Sequence, residues 1–146
     1  MKKYKIGYTM GVYDMFHVGH LNVIMNAKKL CDKLIVAIST DEVVTNQKGV
    51  VPIIPYEDRV KIVQAIRYVD EVVPQYEYGL EGKIWAAKEY GFEALFVGDD
   101  WKGTDKWNEI ERELSKLGVD VVYLPHTDGI SSTHLKEVLR REKSIK

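Results

Sequence analysis

The stretch GVYDMFHVGH, residues 11–20, lies where a strand pattern gives way to a helix pattern. The residues before it, from Tyr4 to Met10, are rich in β-branched and aromatic side chains, as is typical of a strand. Beyond it, apolar residues recur at helical spacing, namely Leu21, Ile24, Ala27 and Leu30. The stretch therefore predicts a strand-to-helix turn, with the helix beginning near Val18.

A turn of this kind favours an anionic ligand, above all a phosphate. Gly11 lacks a Cβ and permits close approach of the backbone, while the start of the helix directs its free N–H groups beyond the strand. His17 and His20 are three residues apart, so both imidazoles project near the first helical turn, where each can donate to a phosphate oxygen. Two alternatives stay open: ordinary packing of two histidines, and a metal site formed by His17, His20 and Asp14.

The remainder of the chain alternates between strand and helix patterns. Strands are predicted at 33–40, 71–73, 94–97 and 119–124, and helices at 56–68, 80–90, 106–117 and from Ser131 or Ser132 to about Arg141. The segment 45–55 is predicted to be a loop, because it carries Gly49 and two prolines without helical period. The alternation predicts an α/β fold, a Rossmann-like three-layer sandwich with a five-stranded parallel sheet and helices on both faces.

Length and composition limit the class of protein. A chain of 146 residues is expected to form one domain, residues 1–142, followed by a disordered tail at 143–146. The net charge of -1 excludes a whole-protein field that recruits nucleic acid or acidic membrane. The single cysteine, Cys31, is expected in the core. With neither a signal-peptide pattern nor an apolar run of membrane-span length, we expect a soluble cytoplasmic protein.

Several sequence blocks carry a family resemblance. GVYDMFHVGH resembles the HxGH signature of the nucleotidylyltransferase superfamily, and HTDGISST at 126–133 resembles the RTEGISTT block of its cytidylyltransferase branch. Four further blocks look like those of the small bacterial glycerol-3-phosphate cytidylyltransferases: ISTDE at 38–42, the Lys48-Gly49 pair, RYVDEVVP at 67–74 and GDDW at 98–101. The match runs in order from about Lys5 to about Arg140. We therefore expect a member of this superfamily.

This resemblance implies an enzyme that joins CTP to a small phosphorylated alcohol, giving a CDP-alcohol and pyrophosphate. The acceptor that it implies first is glycerol 3-phosphate. The attacking phosphate is already an anion, so in-line attack on the α-phosphate needs positioning and charge stabilisation rather than a general base. The resemblance also implies catalytic roles for His17, His20 and Lys48, a homodimer, and Mg²⁺ that travels with CTP and has no assigned protein ligand.

The same resemblance implies a set of binding residues. Those implied to bind the nucleotide are Gly11, Val12, Tyr13, His17, His20, Asp100, His126, Thr127, Gly129, Ile130, Ser131, Ser132 and Thr133. Lys48 and Lys83 are implied to bind the phosphate of the acceptor. Residues 131–133 offer hydroxyls and helix N-terminal amides, a pattern that also predicts a simple helix cap. Asp14 is expected to hold the turn rather than to touch a ligand.

Two departures from the family pattern bear on the substrate. The arginine at the head of RTEGISTT is His126 here, which carries no permanent charge and meets the nucleotide only when protonated, unless another cation substitutes. The Thr-Phe pair after the first glycine is replaced by Val12 and Tyr13, which loses a hydroxyl and keeps an aromatic ring. Both departures leave the reaction class intact and weaken the inference to glycerol 3-phosphate itself.

Other functions therefore remain as alternatives. The acceptor can be phosphocholine, phosphoethanolamine or another capsule or wall precursor, and Tyr76, Tyr78 and Trp107 are candidates for an aromatic cage around a quaternary ammonium. A related adenylyltransferase is a further enzymatic alternative. The non-enzymatic alternative is a nucleotide-binding regulatory module without turnover.

Overall fold

Strands and helices alternate along the computed structural model, which describes residues 2–145 and, for 143–145, the backbone alone. The strands are β1 Tyr4–Gly11, β2 Cys31–Ser39, β3 Glu71–Gln75, β4 Ala94–Gly98 and β5 Asp120–Leu124. The helices are α1 Val18–Lys28, α2 Asp41–Lys48, α3 Tyr56–Gln64, α4 Leu80–Tyr90, α5 Asp105–Ser115 and α6 Ser132–Ile145. A helix separates each pair of successive strands, as parallel pairing requires.

The five strands form one parallel sheet in the order β3-β2-β1-β4-β5. β1 lies at its centre, with Gly11 opposite Ile38 of β2 on one side and Thr9 opposite Phe96 of β4 on the other. The chain builds outward from β1 in one direction and then returns to its other side at β4, so the crevice between the ends of β1 and β4 is the switch point where such sheets bind ligands. The predicted Rossmann-like α/β fold with a five-stranded parallel sheet is confirmed.

Both faces of the sheet are covered. Helices α1 and α3 pack on one face of the sheet, and α4 and α5 pack on the other. Each face has its own apolar core. The neighbouring residues Ile35 and Val36 of β2 point to opposite faces, and both are buried, which explains the unbroken apolar run of this strand. Cys31 is buried in the core, as expected. No helix among the described residues is both long enough and apolar enough to cross a membrane.

One helix was missed by the sequence pattern. Residues 45–48, predicted to belong to a loop, form the last turns of α2. The Thr40 hydroxyl caps this helix by accepting from Val43 N, two acidic residues lie in its first turn, and Gly49 ends it in the left-handed conformation at φ 72°. The helix is short and only two of its residues are buried, so apolar periodicity gave little signal; the Thr-Asp-Glu start was the signal available.

The ends of two other helices also differ from the prediction. Helix α3 ends at Gln64 rather than near Tyr68, because tight turns follow, in which Ala65 N bonds Ile62 O and Ile66 N bonds Val63 O. Helix α6 begins after Ser131 and runs to Ile145, beyond the predicted end near Arg141. The backbone of 143–145, in the segment expected to be a disordered tail, therefore continues this helix. Lys146 lies outside the described residues.

Candidate active site

A cavity of about 720 Å³ opens at the carboxyl ends of β1 and β4. The turn after β1, the loops after β4 and β5, the end of α2 and the start of α6 contribute to its walls. The predicted site residues that line it are Gly11, Val12, Tyr13, His17, His20, Lys48, Asp100, His126, Thr127, Ile130, Ser131, Ser132 and Thr133. Gly129 and Lys83 are not among its lining residues. Residues far apart in sequence are thus brought to one cavity at the switch point.

His17 and His20 together cap the start of helix α1. His17 Nδ1 accepts from the backbone N–H of Gly19 at 3.0 Å, and His20 Nδ1 accepts from the backbone N–H of His17 at 3.1 Å. The two rings stack with their centroids 3.9 Å apart. This reciprocal arrangement is a capping box built from two histidines, and it fixes both rings relative to the helix start.

The capping contacts also determine the tautomer of both rings. A nitrogen that accepts a hydrogen bond carries no proton, so each neutral ring carries its proton on Nε2. Burial lowers the pKa of His17, and burial together with the neighbouring His17 lowers the pKa of His20 to about 4, so both rings are neutral at pH 7. His17 Nε2 is buried and has no hydrogen-bond partner among the described residues. Each ring therefore presents an N–H donor that a ligand can use.

The glycines of the turn are required by this packing. A Cβ on Gly19 would lie 2.8 Å from Cε1 of the His17 ring, and a Cβ on Gly11 would lie 3.0 Å from the ring of Tyr13. Between these glycines, Tyr13 and Met15 adopt positive φ angles of 57° and 51°, a conformation that non-glycine residues rarely adopt. Backbone strain of this kind concentrates at ligand sites. Tyr13 is itself buried, with its ring against Phe16 and His20.

The fully buried Arg59 stabilises the turn after β1 through hydrogen bonds. The Arg59 side chain is 0% exposed, and its Nη1 donates to the carbonyls of Val12 at 2.7 Å and Ser39 at 2.8 Å. Its Nε donates to Ile54 O at 2.9 Å, and its Nη2 pairs with Asp41 at 2.6 Å. One guanidinium thus fixes the ends of β1 and β2 and the loop before α3. Sequence reasoning missed Arg59, because its partners lie as far as 47 residues away.

Asp14 connects the turn to helix α6, which also contributes to the cavity. Its carboxylate, which is 3% exposed, accepts from the backbone N–H groups of Ile53 and Ile54 and pairs with Lys136 at 3.1 Å. These partners outweigh burial and lower the pKa of Asp14. The Ser132 hydroxyl donates to the Asp14 carbonyl. The carboxylate is therefore engaged by the protein, in the position expected for a residue that holds the turn.

The loop after β5 and the start of α6 form an adjoining part of the cavity wall. Thr127 accepts from the side chain of Asn22 at 2.9 Å, which ties this loop to α1. Gly129 has φ 80°, a left-handed conformation that favours glycine, and so turns the chain into the helix. The Ser131 hydroxyl caps α6 by accepting from His134 N at 3.0 Å. Lys136, which sequence reasoning missed, lines the cavity from the same helix.

His126 lies in a group of three carboxylates at the rim. Its Nδ1 is 2.7 Å from Asp99 Oδ1 and 3.4 Å from Asp100 Oδ1, and its Nε2 is 2.9 Å from Asp128 Oδ1. Carboxylates only accept, so both ring nitrogens need a proton to satisfy these contacts. Hydrogen bonding to Asp99 and the nearby negative charges raise the pKa of His126.

The described residues contain one geometric grouping of metal-ligating types, Asp99, Asp100 and His126. Because both ring nitrogens face carboxylates at hydrogen-bond length, we interpret this group as an ion-pair cluster. His17, His20 and Asp14 do not form such a grouping among the described residues, and both Nδ1 atoms and the carboxylate are already engaged. The alternative of a metal site at the turn is therefore not supported.

Lys83 lies in a second cavity of about 200 Å³, whose lining includes Tyr76 and Trp85. The lysine is 7% exposed, its ammonium donates to Gly79 O at 3.3 Å and lies 5.2 Å from the centre of the Trp107 ring. Burial, with a contribution from Lys106, lowers its pKa to about 8.

The two cavities are connected by a polar contact. The Ser39 hydroxyl is 3.3 Å from the carbonyl oxygen of Gly11, in the first cavity, and 2.8 Å from Gln75 Oε1, in the second. Tyr78 donates to the same hydroxyl at 3.0 Å. Trp107 is buried and its ring faces Lys83, so Tyr76, Tyr78 and Trp107 do not form the open aromatic cage considered for phosphocholine.

Comparison with known proteins identifies related chains. A family model described as cytidylyltransferase-like matches residues 8–138. The chain is 40% identical over 129 residues to the glycerol-3-phosphate cytidylyltransferase of Bacillus subtilis (strain 168), which covers 88% of this chain and 92% of that protein. It is 52% identical over 139 residues to the FAD synthase of Pyrococcus abyssi, which covers 92% of this chain and 90% of that protein.

A solved structure supports the fold. The lipopolysaccharide core biosynthesis protein of Thermoplasma volcanium aligns with a TM-score of 0.69 at 24% identity, over 85% of this chain and 97% of that one. At this level of identity the likeness concerns the arrangement of strands and helices alone. The two sequence relatives, by contrast, align over 92% and 90% of their own length.

Proposed function

Because this chain belongs to the cytidylyltransferase-like family, we propose that it transfers the cytidylyl group of CTP to glycerol 3-phosphate, giving CDP-glycerol and pyrophosphate. A phosphate oxygen of the acceptor forms a bond to the α-phosphorus, and the bond from that phosphorus to the oxygen of the leaving pyrophosphate breaks. The attacking oxygen is already ionised, so no proton has to be removed. The protein has to align the two anions and stabilise the charge between them.

One observation carries this proposal. His17 and His20, whose Nε2 atoms carry the protons, and the capped start of α6 at residues 131–133 line the same cavity. A triphosphate between them receives imidazole donors on one side and helix amides and hydroxyls on the other. Neutral donors suit this task, because they need no proton exchange as charge develops on the phosphate oxygens. The exposed Lys48 adds positive charge at the cavity, and we propose that it meets the phosphates of both substrates.

We propose Mg²⁺ as the companion of CTP. The carboxylate of Asp14 is occupied by backbone amides and Lys136, and Asp99 is paired with His126, so these two groups are engaged already. Mg²⁺ is commonly held by phosphate oxygens and water with few protein ligands, which fits a cavity of this composition. When bound, Mg²⁺ would neutralise charge on the triphosphate, while the residues of the cavity would orient the triphosphate.

We propose that the acceptor phosphate binds beside Lys83. A buried ammonium without a carboxylate among its described contacts favours an incoming anion. The contact of Ser39 with both Gly11 and Gln75 places the second cavity next to the strand end where CTP is proposed to bind. Removing the charge with Lys83→Met is expected to raise KM for the acceptor and to leave KM for CTP unchanged.

The reaction is tested by incubating the protein with Mg²⁺, CTP or ATP, and one acceptor at a time, and by measuring pyrophosphate. The acceptors are glycerol 3-phosphate, phosphocholine, phosphoethanolamine and FMN. Pyrophosphate with CTP and glycerol 3-phosphate, and CDP-glycerol by mass spectrometry, is the expected result. Binding of CTP without pyrophosphate from any acceptor would instead indicate a regulatory module.

A second candidate is transfer of an adenylyl group to FMN. It is favoured by the 52% identity to the Pyrococcus abyssi FAD synthase. The Thr-Asp-Gly-Ile-Ser run at 127–131 and the RYVDEVVP block at 67–74, which resemble the cytidylyltransferase branch, favour CTP. The assay with ATP and FMN decides between the two, because FAD formed from FMN is separated from it by chromatography and identified by its mass.

We also propose that the protein acts in the cytoplasm as a homodimer, as the resemblance implies. Exposed aromatic side chains, including Tyr76 and Trp85, are available for contact with a second copy. Size-exclusion chromatography with light scattering tests the dimer: a mass of twice 16.8 kDa is expected.

A further inference from the structure

His126 lies between two loops that both contribute to the rim of the cavity. Asp99 and Asp100 belong to the loop after β4, whereas His126 and Asp128 belong to the loop after β5. The imidazole therefore forms ion pairs across the gap between these loops. Asp100, His126 and the adjoining Thr127 all line the cavity. A change at this ring is thus transmitted directly to the surface that a nucleotide contacts.

The contacts of the ring leave no nitrogen free for a phosphate. Nδ1 faces Asp99 and Nε2 faces Asp128, and both contacts are of hydrogen-bond length. The same ring holds three carboxylates, those of Asp99, Asp100 and Asp128, at the rim of a cavity proposed to take a triphosphate. With the ring charged, two net negative charges remain in this group, and with the ring neutral, three remain.

We propose that protonated His126 is a positioning residue that holds the loop after β4 against the loop after β5, so that affinity for the nucleotide falls when His126 loses its proton. The inference rests on the proposed function for the identity of the nucleotide, CTP. Proton loss has two effects in the same direction. It removes a donor from one of the carboxylate contacts, and it adds net negative charge opposite the phosphates.

The direction of the pH dependence follows from the partners of the ring. The groups facing His126 are Asp99, Asp100 and Asp128, and together they raise its pKa above the ordinary value of 6.5. In return, the hydrogen bond from His126 lowers the pKa of Asp99. The contact is therefore complete below pH 6.5 and is lost as the pH rises through the raised pKa of His126.

The first test measures CTP binding by calorimetry from pH 6 to pH 8.5 in wild-type protein, His126→Arg and His126→Gln. Exposed ion pairs are weak, so we expect wild-type affinity to fall about two- to fivefold over this range relative to the arginine variant. Arginine keeps its charge and both donors, so its affinity should change only as CTP itself titrates. Glutamine should bind CTP weakly at every pH. His134→Gln, which removes a histidine outside this cluster, should behave as wild type.

The second test follows the ring proton of His126 by NMR during a pH titration without nucleotide. The expected pKa lies above 6.5 and falls in Asp99→Asn, which removes the nearest charge. A His126 pKa at or below 6.5, or a wild-type pH profile parallel to that of His126→Arg, would overturn the inference. Failure to form pyrophosphate with intact, pH-dependent CTP binding would contradict the proposed reaction alone. Absence of CTP binding at every pH would contradict both.

Discussion

The two walls of the main cavity are built on different physical principles. We call residues 12–20 the inner wall and residues 125–133, with the loop 98–101, the outer wall. The inner wall rests on buried groups, since Arg59 is 0% and Asp14 3% exposed. The outer wall rests on exposed ones, since the side chains of His126 and Asp128 are 51% and 95% exposed. Both walls nevertheless line the same cavity.

This difference separates the part of the cavity wall that has a fixed geometry from the part whose contacts respond to pH and salt. Buried, fully hydrogen-bonded charges fix a geometry, because removing one partner leaves the others unpaired in a poorly solvated region. Exposed ion pairs contribute little each and respond to pH and salt. The inner wall is therefore expected to control turnover and stability, and the outer wall to control nucleotide affinity.

The largest effect is expected on stability from the inner wall. Arg59→Ala leaves Asp41 and the carbonyls of Val12 and Ser39 without their donor, so the free energy of unfolding should fall by about 3 kcal/mol or more. Urea unfolding measures it. Arg67→Ala, on the exposed surface just beyond α3, is the matched control and should change stability by less than about 0.5 kcal/mol. Equal losses in the free energy of unfolding of the two variants would contradict a stabilising role for the buried contacts of Arg59.

The next effect is on turnover. His17→Ala and His20→Ala each remove an N–H donor that we propose to bind the phosphates, so kcat should fall roughly a hundredfold, on the order of 3 kcal/mol of transition-state stabilisation. Stability should fall less, by about 1 kcal/mol for the lost cap.

A third variant separates capping from catalysis. In His17→Asn the shorter side chain still caps α1 and should restore stability without restoring turnover. Steady-state kinetics and thermal unfolding of all three variants provide the check. Near-normal kcat in either alanine variant would reject the role of the pair.

A third prediction concerns pH and the inner wall. The pKa of His20 is lowered from 6.5 to about 4, so between these values the unfolded chain binds more protons than the folded protein. Stability should therefore decrease as the pH falls from 6.5 to 4, by about 2 kcal/mol in total from this residue. Urea unfolding across this range should show a smaller slope in His20→Gln. Identical slopes in wild type and variant would mean that His20 is not buried in its neutral form.

The smallest effect is expected at the outer wall. Ser131→Ala removes the cap of α6 and should lower stability by about 1 kcal/mol while raising KM for CTP. Thr104 caps α5 in the same way, by accepting from Trp107 N, and lies outside the lining of the cavity. Thr104→Ala should therefore show the same loss of stability with an unchanged KM. If both variants change KM alike, the helix start has only a structural role.

The sequence predicted the fold well, because each strand and nearly every helix carries its own local signal. Alternating patterns with glycine stops at Gly91 and Gly118 placed the elements, and their order required a parallel sheet. Helix α2 was missed because its signal lies in its cap rather than in apolar periodicity. The predicted end of α3 was wrong because the apolar pattern continues into the tight turns that follow it.

The location of the cavity was predictable from the sequence, and the contacts within its walls were not. His17, His20 and residues 131–133 were recognisable, because each set follows a strand end and has a local reason to bind phosphate. The supports of these residues depend on tertiary structure: Asp14 meets Lys136, and Arg59 meets Val12. No local pattern encodes such pairs. The capping box of two histidines was likewise not predictable from the sequence. It and the tautomers of both rings follow from hydrogen bonds that only the structure shows.

A crystal structure of the protein with CTP and Mg²⁺ would show directly whether both walls bind one triphosphate. We expect phosphate oxygens of one CTP to lie within hydrogen-bond distance of Nε2 of both His17 and His20, and the same triphosphate to contact the amides or hydroxyls of residues 131–133. A triphosphate that contacts only one wall, or histidine rings that still carry no ligand contact when CTP is bound, would contradict this expectation.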